Sequence, residues 1–248
     1  MEENNNKPWY EKDKYEYMYD PIKFPHPNVA VDCVVFGYDG AKLHVLLIRR
    51  GQDVHVGKPA IPGGFVRIKE SAEDAAKREL REETNFPIEI GKITLFHTYS
   101  DYKRDPRERV ISIAYYALSK VCVVKGGDDA EAAWWEPIEK VPQLPFDHNL
   151  IIEDGLKALR QNVYFEPDVF KLLPEKFTLT QVQHLYEAIL NVKLDRRNFS
   201  NKITRLGILE KLDETTTTKN KLEASLYKFN EEKYNELKKT SSGFKFEF

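Results

Sequence analysis

At 248 residues the chain has room for one large domain or two ordinary ones, and 41% hydrophobic residues are enough for a real core. A net charge of −2 excludes a chain-wide polycation that would attract nucleic acid without further specialisation. No apolar run approaches the ~20 residues of a membrane span, the start MEENNNK is no signal peptide, and Cys33 and Cys122 sit in apolar runs like reduced core residues. A cytoplasmic protein with no membrane partner is expected.

Residues 1–27 are polar and aromatic, with four prolines between Pro8 and Pro27, and read as an N-terminal arm laid on the main domain. Asn28–Phe36 and Lys42–Arg49 read as strands, and Asp39-Gly40 between them suits a tight hairpin turn. A loop broken by glycine and proline ends in IPGGF. A charged helix follows over about 71–84, capped by Ser71 with Asp74 in the first turn and stopped before Pro87. Ile88–His97, Val110–Ala117 and Ala133–Glu136 read as further strands, and a helix falls near 147–161. This mixed α/β layout occupies residues 28–164.

The pattern changes after Phe165. Leu179, Val182, Leu185, Tyr186 and Ile189 form the apolar stripe of a helix that Thr178 and Gln181 can close with a capping box. Asp195 caps a second helix with Phe199, Ile203 and Leu206 on its apolar face and Gly207 as its stop. ILEKLDE and SLYKFN read as two short strands around a polar tip. Helix, turn, helix, hairpin is the outline of a winged helix-turn-helix over residues 165–248.

The charged helix raises a chemical question. Glu70, Glu73, Glu79, Glu82 and Glu83 crowd into fourteen residues, and like charges three or four apart repel by roughly 0.2–0.5 kcal/mol a pair. One answer is a wet face laced by the pairs Glu73–Lys77, Asp74–Arg78 and Arg78–Glu82. The other is a cation. At 100° per residue Glu79, Glu82 and Glu83 project together, while Ala72, Ala76 and Leu80 share a face that can sit on a sheet. Hard carboxylate oxygens clustered this way suit Mg²⁺ or Mn²⁺, and magnesium favours a phosphate as co-ligand, which points to a diphosphate. A metal-bound water then needs no protein nucleophile. Gly63 and Gly64 let backbone approach the ion or the phosphate, with a carbonyl at Gly63 as a further ligand.

The spacing discriminates. Gly64, five residues, Glu70, seven residues, Arg78-Glu79-Leu80-Arg81-Glu82-Glu83, two residues, Phe86 resembles the Nudix box, with Asn85 where that family has glycine. Six fixed positions match by chance in roughly one window in 10⁷ at ordinary residue usage. Asn tolerates left-handed backbone better than most residues, so the helix can still end there. The resemblance implies a Nudix fold, a mixed sheet between helices, over about residues 28–160. It also implies metal-dependent hydrolysis of a nucleoside diphosphate linked to another moiety. By position, Glu79, Glu82 and Glu83 would ligate the metal, and Glu70 and Arg78 would pair to hold the loop–helix shape. The family's general base often lies outside the box; the candidates are Glu131, Glu108 and Glu83 itself.

A Nudix domain followed by LLPEKFTLTQVQHLYEAIL and LDRRNFSNKITRLGILE resembles the Nudix-related transcriptional regulators, as do RDPRERVISIAYYAL and PFDHNLII. That resemblance implies a sensor for ADP-ribose or a sugar such as arabinose, joined to a DNA-binding tail. Many members have lost box carboxylates; this chain has kept them. Residues 165–248 carry about 15 basic and 13 acidic side chains, nearly neutral, but from Lys193 to Lys211 six basic residues face two acidic ones. With Phe199, Ile203 and Leu206 inward, Arg196, Arg197, Asn198, Asn201 and Lys202 lie at the exposed N-terminal face of the second helix, where such motifs meet base edges. Lys219 and Lys221 on the wing tip suit phosphates. A solvated helix in a protein-interaction module is the competing account. One tail reads a half-site, so a homodimer on a palindromic operator is expected.

Two functions follow: a ligand-responsive transcriptional regulator, or an active ADP-ribose-type pyrophosphohydrolase with an accessory tail. The six histidines show no ligand spacing for zinc, and Trp134-Trp135 suits core packing better than adenine stacking.

Overall fold

The computed structural model describes residues 25–52, 54–84, 92–127, 130–217, 222–240 and 245–246. All but the last three residues of the arm, Asn85 and the start of the strand expected from Ile88, and the wing-tip Lys219 and Lys221 lie outside them.

Strands β1 (Asn28–Tyr38) and β2 (Leu43–Arg50) form the expected hairpin. Asp39 closes its turn by accepting from the backbone N–H of Ala41 and Lys42, and Gly40 takes φ +96°. Short strands β3 (Pro59–Ala60) and β4 (Gly63–Phe65) then pair with β2 and β1 respectively. The sequence reading took this stretch for loop, because two- and three-residue strands carry no periodicity. Helix α1 (Ala72–Thr84) follows, then β5 (Thr94–Tyr99), β6 (Val110–Lys120), β7 (Ala130–Pro137) and α2 (His148–Asn162). β1 runs parallel to β6 along its whole length, and the remaining pairings are antiparallel.

β1 is the central strand, and its alternation divides the core. Val31, Cys33 and Val35 face α1 with Ala75, Ala76 and Leu80. Val34, Phe36 and Tyr38 face α2 with Ile151, Ile152 and Leu159. The sheet therefore lies between helices, the mixed-sheet fold expected.

Beyond α2 a 3-10 turn (Pro167–Leu172) leads into α3 (Leu179–Leu190) and α4 (Arg196–Arg205). The Thr178–Gln181 capping box forms, Asp195 accepts from the Asn198 N–H, and Gly207 ends the segment at φ +70°. β8 (Leu209–Thr217) and β9 (Glu223–Phe229) make the hairpin, and a fifth helix, α5 (Glu231–Lys238), follows Asn230 as its cap. α5 was not foreseen: only Tyr234 among its residues is fully buried, so its apolar stripe is thin. The α2-side core runs without a break from Phe36 and Ile151 into Val182, Tyr186, Phe199 and Ile203. The winged unit is packed on the first unit, not tethered to it.

Candidate nucleotide cleft and nucleic-acid interface

α1 presents its carboxylates to a cleft of about 560 Å³, lined by Gly63, Gly64, Phe65, Arg67, Arg78 and the glutamates 79, 82 and 83, with Arg50 and Arg107 opposite. Arg78 organises this wall. Its guanidinium holds Glu70 with two bonds of 2.6 and 3.0 Å, reaches Glu79 at 2.6 Å and Glu82 at 2.9 Å, and donates to the Phe65 carbonyl. Charge-assisted forks of this kind are among the stronger hydrogen bonds. They answer the like-charge problem: Glu70, Glu79 and Glu82 converge on one cation, Arg78. The Glu73–Lys77 pair forms, but Asp74 bonds Ser71 and leaves Arg78 to the box, correcting the expected Asp74–Arg78 pair.

The electrostatics follow from the geometry. The Arg78 hydrogen bonds hold the Glu70 carboxyl at a pKa of about 2. Burial pushes Glu79 the other way, above the usual carboxylate range, against the pull of Arg78. Glu83 is 8% exposed and its Oε2 accepts from the Gly63 N–H at 2.9 Å, joining the helix end to β4. A Cβ on Gly64 would run into the Glu79 carboxylate, and one on Gly63 into the Val31 carbonyl. Both glycines are therefore required by close approach.

Among the described residues no three of His, Cys, Asp and Glu stand together as a ready metal cage. Arg78 Nη1 lies between Glu79 and Glu82, so the wall already gathers positive charge. The hard oxygens of Glu79, Glu82 and Glu83 on one cleft wall fit a hard dication in competition with that guanidinium. Glu131 and Glu108 are exposed and do not line the cleft. β7 pairs with β2 at Arg50↔Ala130, and Glu131 turns its side chain to solvent there. Trp134 and Trp135 do not line the cleft either: Trp135 donates to the Cys122 carbonyl and lies against Gly37, while Trp134 donates to Glu136.

The sequence reading missed a buried polar cluster beside the cleft. Asp32, in mid-strand β1, meets Arg104 at 3.0 Å and Ser112. Arg104 also holds Asp147, the N-cap of α2, with bonds of 2.7 and 2.9 Å. His148 Nδ1 accepts from the Ile61 N–H, which places its proton on Nε2, 3.6 Å from Asp32. Burial lowers the His148 pKa. Phe146, in left-handed backbone at φ +54°, lies under Arg50 at 5.3 Å and Arg107 at 5.8 Å. A signal did exist: an aspartate inside the apolar run VAVDCVVF, and the charged RDPRERV and PFDHN segments.

On the winged unit, Arg196, Arg197, Asn198 and Asn201 are exposed on α4 and Lys202 is half-buried, with Phe199 and Ile203 inward as expected. Among the described residues Arg196, Arg197, Lys202 and Arg205 form no ion pair, whereas the cleft's Arg67, Arg78 and Arg107 all do. Glu187 fixes the turn between α3 and α4 by accepting from Gln183 and the Leu194 N–H.

Residues 26–155, just over half of the chain, match the NUDIX domain, and residues 169–229 match the NrtR DNA-binding winged helix domain. The chain belongs to the Nudix family. Its organisation is that of the Nudix-related transcriptional regulators, a Nudix unit carrying an NrtR-type winged helix. It is 28% identical to the ADPR responsive transcriptional repressor NtrR of Acinetobacter baylyi, over 85% of each chain. A crystal structure of Shewanella oneidensis NrtR complexed with a 27mer DNA superposes with a TM-score of 0.71 at 26% identity, over 88% of this chain and 97% of that one. The NUDIX domain of the same protein, complexed with ADP ribose, superposes at 0.53 with 30% identity, over 57% and 94%. The ADP-ribose pyrophosphatase of Methanocaldococcus jannaschii is 39% identical over 53% of this chain and 75% of its own length. No helix among the described residues is long and apolar enough to cross a membrane.

Proposed function

We propose that this Nudix-related regulator is a cytoplasmic, ADP-ribose-responsive repressor. Residues 28–164 bind the effector, and residues 165–248 bind operator DNA as a homodimer on a two-fold site. The observation that carries this reading is the charge arrangement of α4: Arg196, Arg197 and Arg205 are exposed and form no ion pair among the described residues, on the second helix of a winged unit whose NrtR relative has been solved in complex with a 27mer DNA. Arg196, Arg197, Asn198, Asn201 and Lys202 reach base edges, and Lys219 and Lys221 reach phosphates. Arg50, Arg67 and Arg107 receive the diphosphate of the effector. A gel shift with a selected operator duplex, with and without ADP-ribose, tests it. Release of the duplex by ADP-ribose is expected, and a response to arabinose alone would transfer the reading to a sugar effector.

A second activity is favoured by the unbroken box and by the pyrophosphatase relative. Mg²⁺ or Mn²⁺ held by Glu79, Glu82 and Glu83, with the Gly63 carbonyl nearby, would supply charge neutralisation and an activated water. Arg78 and Glu70 hold the wall, and the Glu83 carboxylate takes the water's proton. Hydrolysis would then remove the signal that the cleft reads. Glu83→Gln is expected to lower cleavage of the pyrophosphate bond by ~10²-fold, a usual cost of losing a positioned charge, and to spare operator binding. Unchanged turnover in that variant would defeat the assignment.

A further inference from the structure

One helix joins the two sites. α2 begins in the polar cluster beside the cleft: Asp147, at its N-cap position, is held by the fork of Arg104, and His148 Nδ1 accepts from the Ile61 N–H two residues before Gly63. Immediately before the cap, Phe146 takes left-handed backbone, a conformation that a bulky residue adopts only when its surroundings impose it. The guanidiniums of Arg50 and Arg107 cover its ring, and His55 and His148 pack against it at 5.0 and 5.3 Å.

The far end of α2, roughly 22 Å away at the rise of a 15-residue helix, is bound to the DNA-reading unit. Arg160 Nε donates to the Ile189 carbonyl at the end of α3 at 2.8 Å. Just beyond α2, the Tyr164 carbonyl accepts from the Phe246 N–H at 2.8 Å. The Phe246 ring, 1% exposed, stands edge-on between Tyr186 of α3 and Phe199 of α4, at 5.2 and 5.5 Å. Asn162 ties the same end to the Tyr116 hydroxyl of β6. Phe246 therefore pins α3 and α4 to the end of the helix that starts beside the cleft.

We propose that α2 is the coupling rod of this regulator, read at its cleft end by Phe146 and clamped at its far end to α3 by Arg160 and to α3 and α4 by Phe246. An anionic ligand with phosphate groups draws Arg50 and Arg107 away from the Phe146 ring. The left-handed residue then loses the contacts that impose it, the start of α2 shifts, and the displacement passes along a rigid helix to α3 and α4. The two ligands thus favour different settings of one element, which is what coupling between distant sites requires. The ligand part of this scheme rests on the effector reading above; the mechanical part does not.

The test uses the full-length chain and has two arms. In the first, ADP-ribose affinity is measured by calorimetry and operator affinity by fluorescence anisotropy. Arg160→Met and Phe246→Leu, both outside the cleft, are expected to keep the affinity for ADP-ribose. The change in operator affinity that ADP-ribose causes, of order 10-fold or more for coupled sites, should fall to about 2-fold. A full response in both variants overturns the proposal. The second arm needs no ligand. Phe146→Ala removes the ring contacts but keeps the Cβ that disfavours left-handed backbone, and hydrogen exchange over residues 196–205 is expected to rise about 10-fold, an effect that Arg160→Met cancels in the double variant. If ADP-ribose fails to bind at all, the effector reading fails while this arm still decides: unchanged exchange in α4 sinks the rod.

Discussion

Single atoms decide the cleft. Gly64 is glycine because the Glu79 carboxylate occupies the space of its Cβ, and Glu79 cannot yield freely while Arg78 grips it. Gly64→Ala should therefore displace Glu79 by a fraction of an ångström to an ångström. Misplacement on that scale lowers turnover by ~10²-fold in positioned sites. AMP release from ADP-ribose with Mn²⁺, alongside an unchanged circular dichroism spectrum, measures it, and normal turnover would show the wall to be looser than its contacts indicate. His148 gives a second expectation, in pH. Burial lowers its pKa below the ordinary 6.5, although Asp32 and Asp147 pull the other way and Arg104 and Arg50 oppose them. In the interval below 6.5 the unfolded chain binds a proton that the folded one refuses, so stability rises with pH there. The urea midpoint should thus fall between pH 7.5 and 5.5, and fall less in His148→Gln. Parallel declines in the two proteins would remove His148 as the cause.

The elements differ in how plainly the sequence announces them. α3 and α4 were legible to within a residue or two, because a capping box, an aspartate cap and an apolar stripe all mark the same boundaries. α1 was legible in its chemistry as well, since the carboxylate spacing survives independently of the fold. β3, β4 and α5 were not, being too short or too weakly amphipathic to generate a period. The Asp32–Arg104–Asp147–His148 cluster was hidden for another reason: its members come from β1, a loop and the start of α2, with Asp32 and Arg104 72 residues apart in sequence and Arg104 and Asp147 43 apart. On α4 the stripe that made the helix legible also fixes which side chains point outward. Arg196→Ala with Arg197→Ala should cost about 1–3 kcal/mol per lost base contact and flatten the salt dependence of operator binding. Because neither arginine supports the fold by an ion pair, thermal stability should hardly change. Retained operator affinity in that variant would move recognition off α4.

At the level of the whole chain, the unbroken core sets the expectation. Phe36 and Ile151 of the Nudix unit share one buried cluster with Tyr186 and Phe199 of the winged unit. Polar ties add to it: Glu166, between the units, accepts from Tyr234 of α5 at 2.9 Å and pairs with Lys92 and Lys238. Units that share a core unfold together, because opening either exposes the apolar surface of both. Trp134 and Trp135 both lie in β7, so tryptophan fluorescence weights the first unit, while circular dichroism reports the α-helices of both units. The two probes should trace one transition. ADP-ribose at about 100 times its Kd should add roughly 2.7 kcal/mol to the stability of the folded chain. For a protein of this length that raises Tm by about 5–10 °C, and the winged unit should move with the Nudix unit although it touches no ligand. A fluorescence midpoint that shifts while the helical signal stays behind would mean that the units melt separately. The shared core would then carry no message between cleft and DNA.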